Sequence, residues 1–342
     1  MRSTAEPVEG TDGAGWARWS PAGALRPWTV GVEEEALLLD AATGGVVNGV
    51  DEVLERLAPA LAARASAETH ACVLELKTGP HATVADAVAE LAASRRSLAT
   101  VLAARRLCAA AAGTHPLARR SQVAISAGSR YRRIDATMRA LARREPTLAL
   151  HVHVAVPDGP TGVRALNGLR AELPLLLALS ANSPFWRGAD SGFASIRTPV
   201  FSMFPRTGIP RRFASYAAYV RVVDALLRTT AIPDPSFLWW DARLRPGLGA
   251  VEVRIADAQS RIEDVAALAA FVQCAVRHHA TARSRPPDDP EVLAESRFLA
   301  ARDGMDAALF DVRTGRSVRA RDAVTELVRA RRPEAAQLGC ED

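Results

Sequence analysis

Four short stretches of the chain place side chains able to hold cations or phosphate at every second position. In GVEEEALLL (31–39), Glu33 and Glu35 share one parity while Val32, Ala36 and Leu38 share the other. In CVLELKT (72–78), Glu75 and Lys77 stand opposite Leu74 and Leu76, and in LHVHVAV (150–156), His151 and His153 stand opposite Val152 and Val154. In AVEVRIAD (250–257), Glu252 and Arg254 stand opposite Val251, Val253 and Ile255. Strand side chains alternate between faces, so each stretch has one apolar face and one carrying Glu, His, Lys or Arg. In a single sheet, the apolar face packs on helices and the other becomes an acid-rich floor.

One such strand alone reads equally well as the wet face of an antiparallel sheet. Four together do not, because an ordinary wet face mixes Thr, Ser, Lys and Gln. Gathering carboxylates is also costly: two like charges 4 Å apart repel by about 1 kcal/mol in water and about 4 kcal/mol at an effective dielectric of 20. Carboxylate oxygens with an imidazole suit hard divalent ions, Mg²⁺ or Mn²⁺, and the lack of thiolates in the set argues against structural zinc. Several such ions beside arginines are what a nucleoside triphosphate requires. The chain has no GxxxxGK[ST] loop, GxGxxG turn, GxSxG elbow or HExxH pair, so ATP would be held by metal and arginine on an open sheet.

These strands must be held by the rest of a 342-residue chain that is 49% apolar, enough for a substantial core. Trp28–Asp40, Ala71–Thr78, Thr147–Pro157 and Ala250–Asp257 read as strands. Thr83–Ala112, Arg133–Arg144, Gly162–Ser180, Phe213–Thr229 and Arg261–His279 read as helices. Residues 1–26 read as a flexible lead-in, and 27–342 as a single catalytic domain. The breaker cluster Ser284–Asp289 sets off a C-terminal helical tail, 283–342, packed back on that domain. The expected fold class is α+β.

The net charge of +5 is mild, and 42 of the 43 basic residues are arginines spread along the chain, Lys77 being the one lysine. That argues against a nucleic-acid arm but not against small anionic substrates. No apolar run reaches 18 residues, the opening MRSTAEPVEG has no leader-like apolar stretch, and Cys72, Cys108, Cys274 and Cys340 lie far apart. No membrane association and a cytoplasmic location are therefore expected.

The chain resembles the carboxylate–amine ligases, or type 2 glutamate–cysteine ligases, relatives of glutamine synthetase. The segments that carry the likeness are TVGVEEEALLLD (29–40), ETHACVLELKTGP (68–80), AGTHPLA (112–118), LHVHVAVPDG (150–159), LSANSPFWRGADSGFASIR (179–197), FPRTGIP (204–210) and WDARLRPGLGAVEVRIAD (240–257), followed by SRFLAARDGMDAALFD and the terminal LGCED. They follow the family's order over roughly residues 28–340. The resemblance implies a glutamine-synthetase-like curved, mainly antiparallel sheet with helices on its apolar face. It implies that glutamate is activated at its γ-carboxylate as an acyl phosphate and joined to an amine, cysteine first among candidates. It also implies ATP as co-substrate with Mg²⁺ or Mn²⁺, and a homodimer.

By the same resemblance Glu33, Glu35, Glu75, His151 and Glu252 match metal ligands, with Glu68 as an additional acidic position. Arg254 matches a phosphate contact, and Arg197 a contact for a substrate carboxylate or the transferring phosphate; these two are the catalytic candidates. Lys77 and His153 join them as ATP- or substrate-binding candidates, His153 also reading as a second ligand. Loops at Gly188–Gly192 and Pro205–Pro210 read as cover for the reactive intermediate or as simple turns. A different amine, or a metal-dependent hydrolase using metal-bound water, stands as the alternative. His115 reads as a turn residue, and His278 and His279 as solvated groups at a helix end. The cysteines read as small buried hydrophobes. One tryptophan of the Trp239–Trp240 pair belongs to the core and the other to the cleft border.

Overall fold

A computed structural model describes residues 15–229, 232–282, 289–312 and 314–341. Seven strands form the main sheet: β1 (Val30–Asp40), β2 (Ala65–Ala67), β3 (Val73–Lys77), β4 (Leu107–Ala110), β5 (Ala149–Ala155), β6 (Ala242–Arg245) and β7 (Ala250–Asp257). Their order is β6–β7–β5–β1–β3–β2, every neighbouring pair antiparallel. Strand β4 pairs with the far half of β1, Leu37 facing both Ala110 and Val73. The fold is α+β.

The apolar faces of the strands meet four helices: α1 (Val84–Ala103), α3 (Gly159–Leu169) and α4 (Leu173–Ser180), which follow the short surface helix α2 (Ser129–Met138), and α6 (Ile262–Thr281), which follows α5 (Tyr216–Arg228). One core runs through them, from Val30, Val32, Leu74 and Val152 to Leu166, Leu176 and Val272. Thr83, Asp158 and Ser215 cap α1, α3 and α5, each side chain accepting the main-chain N–H three residues on.

Three helices differ from the sequence expectation for local reasons, and the one expected over 133–144 runs instead over Ser129–Met138, ending where Arg139 takes a positive φ (53°). The helix expected over 83–112 ends at Ala103, where Arg106 turns left-handed (φ 58°), and Leu107–Ala110 joins the sheet. A four-residue apolar run suits a strand as well as a helix, so periodicity alone did not separate them. The helix expected over 162–180 is two, because Pro174 lacks an N–H and is accommodated in the first turn of α4.

The lead-in expected to be flexible is seated where it is described. Trp16 donates to Asp224 at 2.8 Å, Trp19 packs edge-on against Tyr216, and a Cβ at Gly23 would lie 2.3 Å from the carbonyl oxygen of Val156. Residues 1–14 lie outside the described residues, as does the breaker cluster except Asp289. The tail folds as α7 (Pro290–Asp303), a hairpin of β8 (Ala308–Asp311) and β9 (Arg316–Arg319), then α8 (Ala320–Ala330) and α9 (Arg332–Leu338). Arg297 pairs with Asp241 at 2.6 Å, and Arg331 with Glu172, tying tail to body.

Candidate active site on the polar face of the sheet

Strand register brings the sequence candidates together. Glu33 lies beside Lys77 on one side and His151 on the other; Glu35 lies beside Glu75; His153 lies beside Glu252, which lies beside Arg243. Laterally paired residues point to the same face, so these groups share one floor. Beyond Glu35 that face turns apolar, and Leu37, Leu39, Val73 and Cys72 close it with a small cluster.

Three groups of ligand atoms, each within 4.8 Å of one another, occupy this floor: Glu33, Glu75 and His151; Glu33, His153 and Glu252; and Glu35, Glu68 and Glu75. Glu33 Oε2 lies 3.4 Å from His151 Nδ1 and 3.3 Å from His153 Nε2. Burial opposes ionisation of Glu33, but the two imidazoles outweigh it and hold the carboxyl well below its usual range. Burial, helped by the charge of Arg254, pushes His151 down to about 3, leaving a neutral ring able to ligate. Burial pushes Glu35 and Glu75 up to about 8, the charge of Glu68 adding to both. Both ring nitrogens of His153 are buried without a hydrogen-bond partner. An orphaned imidazole between two carboxylates, on a floor of hard oxygen donors, fits a divalent cation.

The basic groups are held just as closely. Lys77 Nζ sits 2.5 Å from Glu75 Oε2. Glu252 is fully buried and accepts from Arg243 at 2.7 and 3.0 Å, from Arg245 at 3.1 Å, and from Arg254. Although burial acts the other way, those guanidiniums keep Glu252 well below the ordinary carboxylate range. An ion bound by Glu252 would replace at least one of these bonds.

Arg197 is buried on the same side of the sheet as the floor. It donates to the carbonyls of Ile255 (3.0 Å) and Arg254 (3.3 Å), and its Nη1 lies 3.7 Å from Asp257 Oδ1. Those carbonyls belong to a bulge between Val253 and Ala256 that interrupts the alternation expected through Asp257. The extra residue moves Asp257 from the parity of Val251 and Val253 to the face of His151 and Ala149. There it accepts from Ser183 at 2.6 Å, Ser195 at 2.9 Å and the Asn182 main chain at 2.8 Å. A cavity of about 100 Å³ opens above, lined by Glu35, Glu68, His151, Arg197, Arg254 and Trp239 among others.

Sequence reasoning missed Arg243, Arg245 and Asp257. The first two were legible: ARLR (242–245) alternates like the other strands, but it was not assigned as one. Asp257 was not, since a bulge leaves no mark in the pattern. Trp240 belongs to the aromatic cluster with Phe213 and Tyr219, whereas Trp239 lines the cavity. His115 is a turn residue, its Nδ1 accepting from the main chain of Leu117 and Ala118. His279 is not solvated but meets Glu172 at 2.7 Å, and His278 meets Glu334 at 3.0 Å. Cys108 is exposed, unlike buried Cys72 and Cys274. Of the two loops, Thr207–Gly208 pairs in parallel with Trp239–Trp240, and Phe185–Trp186 with Ala189–Asp190 as a hairpin.

A family profile described as "Glutamate-cysteine ligase family 2(GCS2)" matches residues 29–342. The chain belongs to glutamate–cysteine ligase family 2. Two proteins of Rubrobacter xylanophilus are similar to it. "Putative glutamate--cysteine ligase 2-1" is 41% identical over 317 residues, 92% of this chain and 84% of that protein. "Putative glutamate--cysteine ligase 2-3" is 43% identical over 323 residues, 93% and 87% of the two. The fold is similar to that of the Francisella tularensis glutamate–cysteine ligase solved in complex with AMP, with a TM-score of 0.66 at 14% identity over 90% of this chain and 78% of that one. This family 2 chain is thus an enzyme of the ligase class. Among its described residues no helix is long and apolar enough to cross a membrane.

Proposed function

We propose that this ligase uses ATP and Mg²⁺ to activate the γ-carboxylate of glutamate as an acyl phosphate, which an amine, cysteine foremost, attacks to form an amide. The observation that carries the reading is the set of three acidic groups sharing Glu33 and Glu75 on one sheet face, bordered by Arg197, Arg245 and Arg254. Glu33, Glu75 and His151 would hold one ion, Glu33, His153 and Glu252 a second, and Glu35, Glu68 and Glu75 a third. Bound there, Mg²⁺ neutralises phosphate oxygens and polarises the phosphorus for attack.

The chain's own residues supply the rest. Phosphoryl transfer depends on positioning and charge neutralisation, not on a protein nucleophile. Arg254 and Arg245, the two less buried of the three guanidiniums on Glu252, can transfer their N–H groups to phosphate oxygens. Arg243 also donates to the Ser236 and Leu238 carbonyls, at 2.8 and 2.7 Å, and keeps Glu252 in place. Arg197 fixes the backbone of Arg254 and turns its edge toward the cavity. Lys77 offsets the charge of Glu75. Phe201, Phe204 and Trp239 give the cavity an apolar wall that limits water near a hydrolysable acyl phosphate.

The test is ADP release with ATP, Mg²⁺, glutamate and a panel of amines. ADP should form when all four are present, and Glu252→Gln should slow it at least about a hundredfold, the scale of one missing electrostatic stabiliser. Amide or phosphate hydrolysis without ATP, or a Glu252→Gln enzyme of unchanged rate, overturns the reading.

A further inference from the structure

Among the described residues three arginines line the cavity, and two of them, Arg197 and Arg254, are matched to carboxylates. Glu252 takes Arg243, Arg245 and Arg254; Asp257 lies against Arg197; Glu75 holds Lys77. Glu145 is held by Arg187 through two bonds, of 2.8 and 3.0 Å. Arg144 lines the same cavity and has no carboxylate partner among the described residues. Its Nη1 donates to the Met203 sulfur at 2.8 Å, a weak acceptor, and its Nε is buried with no partner at all. Burial disfavours its charge, Arg187 and Arg120 adding to that effect against the pull of Glu145.

The side chain is nonetheless well placed to receive an anion. The Arg144 guanidinium stands 5.5 Å from the Trp186 ring, and that of Arg187 stands 4.3 Å from it. Stacking on a rigid ring limits the freedom a ligand would otherwise have to freeze out. The residue lies seven positions before His151, at the entry to β5. Arg144 is half-buried, its Nε enclosed while the rest of the guanidinium is open to an incoming ligand, and a carboxylate is the planar acceptor its fork suits.

We propose that Arg144 binds the α-carboxylate of an amino-acid substrate, the carboxylate that does not react. This rests on the ligase reading, which calls for two amino acids in the site. Glutamate and cysteine both carry such a group, and the experiment separates them.

Equilibrium binding is measured with Mg²⁺ and a non-hydrolysable ATP analogue, comparing glutamate with 4-aminobutyrate and cysteine with cysteamine. Each analogue is its parent without the α-carboxylate. The wild type should prefer one parent over its analogue by about tenfold or more, the scale of a charge-assisted hydrogen bond. Arg144→Met should bring that ratio close to one for the same pair and leave the other pair unchanged, and the affected pair names the substrate. A ratio taken within one variant does not depend on how much of it is folded. Unchanged ratios in Arg144→Met for both pairs overturn the assignment, as does a wild type that binds neither parent. ADP release, measured separately, tells the two readings apart. Wild type that binds with an Arg144-dependent ratio but forms no ADP keeps this assignment and loses the ligase reading. ADP formation with unchanged ratios does the reverse.

Discussion

Arg197 clasps the main chain of Arg254: its guanidinium donates to that carbonyl at 3.3 Å and to the next, of Ile255, at 3.0 Å, while its charge faces buried Asp257. The residue that sequence marks as a substrate contact is therefore also the brace of the bulge that aims a neighbouring arginine into the cavity.

Arg197→Leu would strip Asp257 of its cation and leave the bulge carbonyls without donors. Breaking a buried pair at one end costs about 3–5 kcal/mol, and urea unfolding should show a loss of that size. A loss below about 1 kcal/mol would mean the clasp is incidental.

Glu33 belongs to two acidic groups and Glu68 to one. Mn²⁺ titration followed by electron paramagnetic resonance should therefore show Glu33→Gln losing more bound ion than Glu68→Gln. Equal losses, or none, would contradict the shared-ligand arrangement.

Glu172 joins body to tail through Arg331 and, within the body, meets His279 of α6 at 2.7 Å. Burial works against its charge, but Arg331 and His279 prevail and hold its pKa down to about 2, against 4.5 ordinarily. Because the folded-state value is depressed, the stabilisation is complete above about pH 4.5 and disappears as pH falls toward 2. It amounts to roughly 3 kcal/mol. Wild type should exceed Glu172→Gln in stability at pH 6 and converge on it near pH 2.5; a gap that stays constant would refute the linkage.

Glu34 points away from the floor into the helix-covered face, where Arg95 of α1 reaches it through both Nε, at 2.9 Å, and Nη2. Burial raises the pKa of Glu34 even so. Arg95→Met should destabilise the fold by on the order of 3 kcal/mol, while the double variant Glu34→Leu with Arg95→Met should lose less, because no buried carboxyl is left unpaired. Thermal and urea unfolding of the two variants decide the matter.

Most of the floor was legible because period-two alternation maps directly onto strand faces. Glu33, Glu35, Glu75, His151 and Glu252 follow from parity alone, and their pairing needs only that the strands adjoin. What parity cannot show is where it breaks. The bulge after Val253 reverses Asp257, and a short run such as Leu107–Ala110 is too brief to declare its period. Contacts between distant segments were equally hidden: nothing local to His279 announces Glu172, 107 residues away, and nothing local to Trp16 announces Asp224. Parity already set Glu34 apart from Glu33 and Glu35, but not what it would meet on the apolar side. The unbroken pleat of β1 makes the middle one a partner for a helix and its neighbours members of the floor.

The three acidic groups are joined at Glu33 and Glu75 and draw, Glu68 apart, on adjoining strands spaced by roughly 4.8 Å. The main-chain ladder thus serves as the ruler for any row of cations laid across it. Exchanging one side chain for another can vacate a mark on that ruler, yet moving the marks would require the strands themselves to slide.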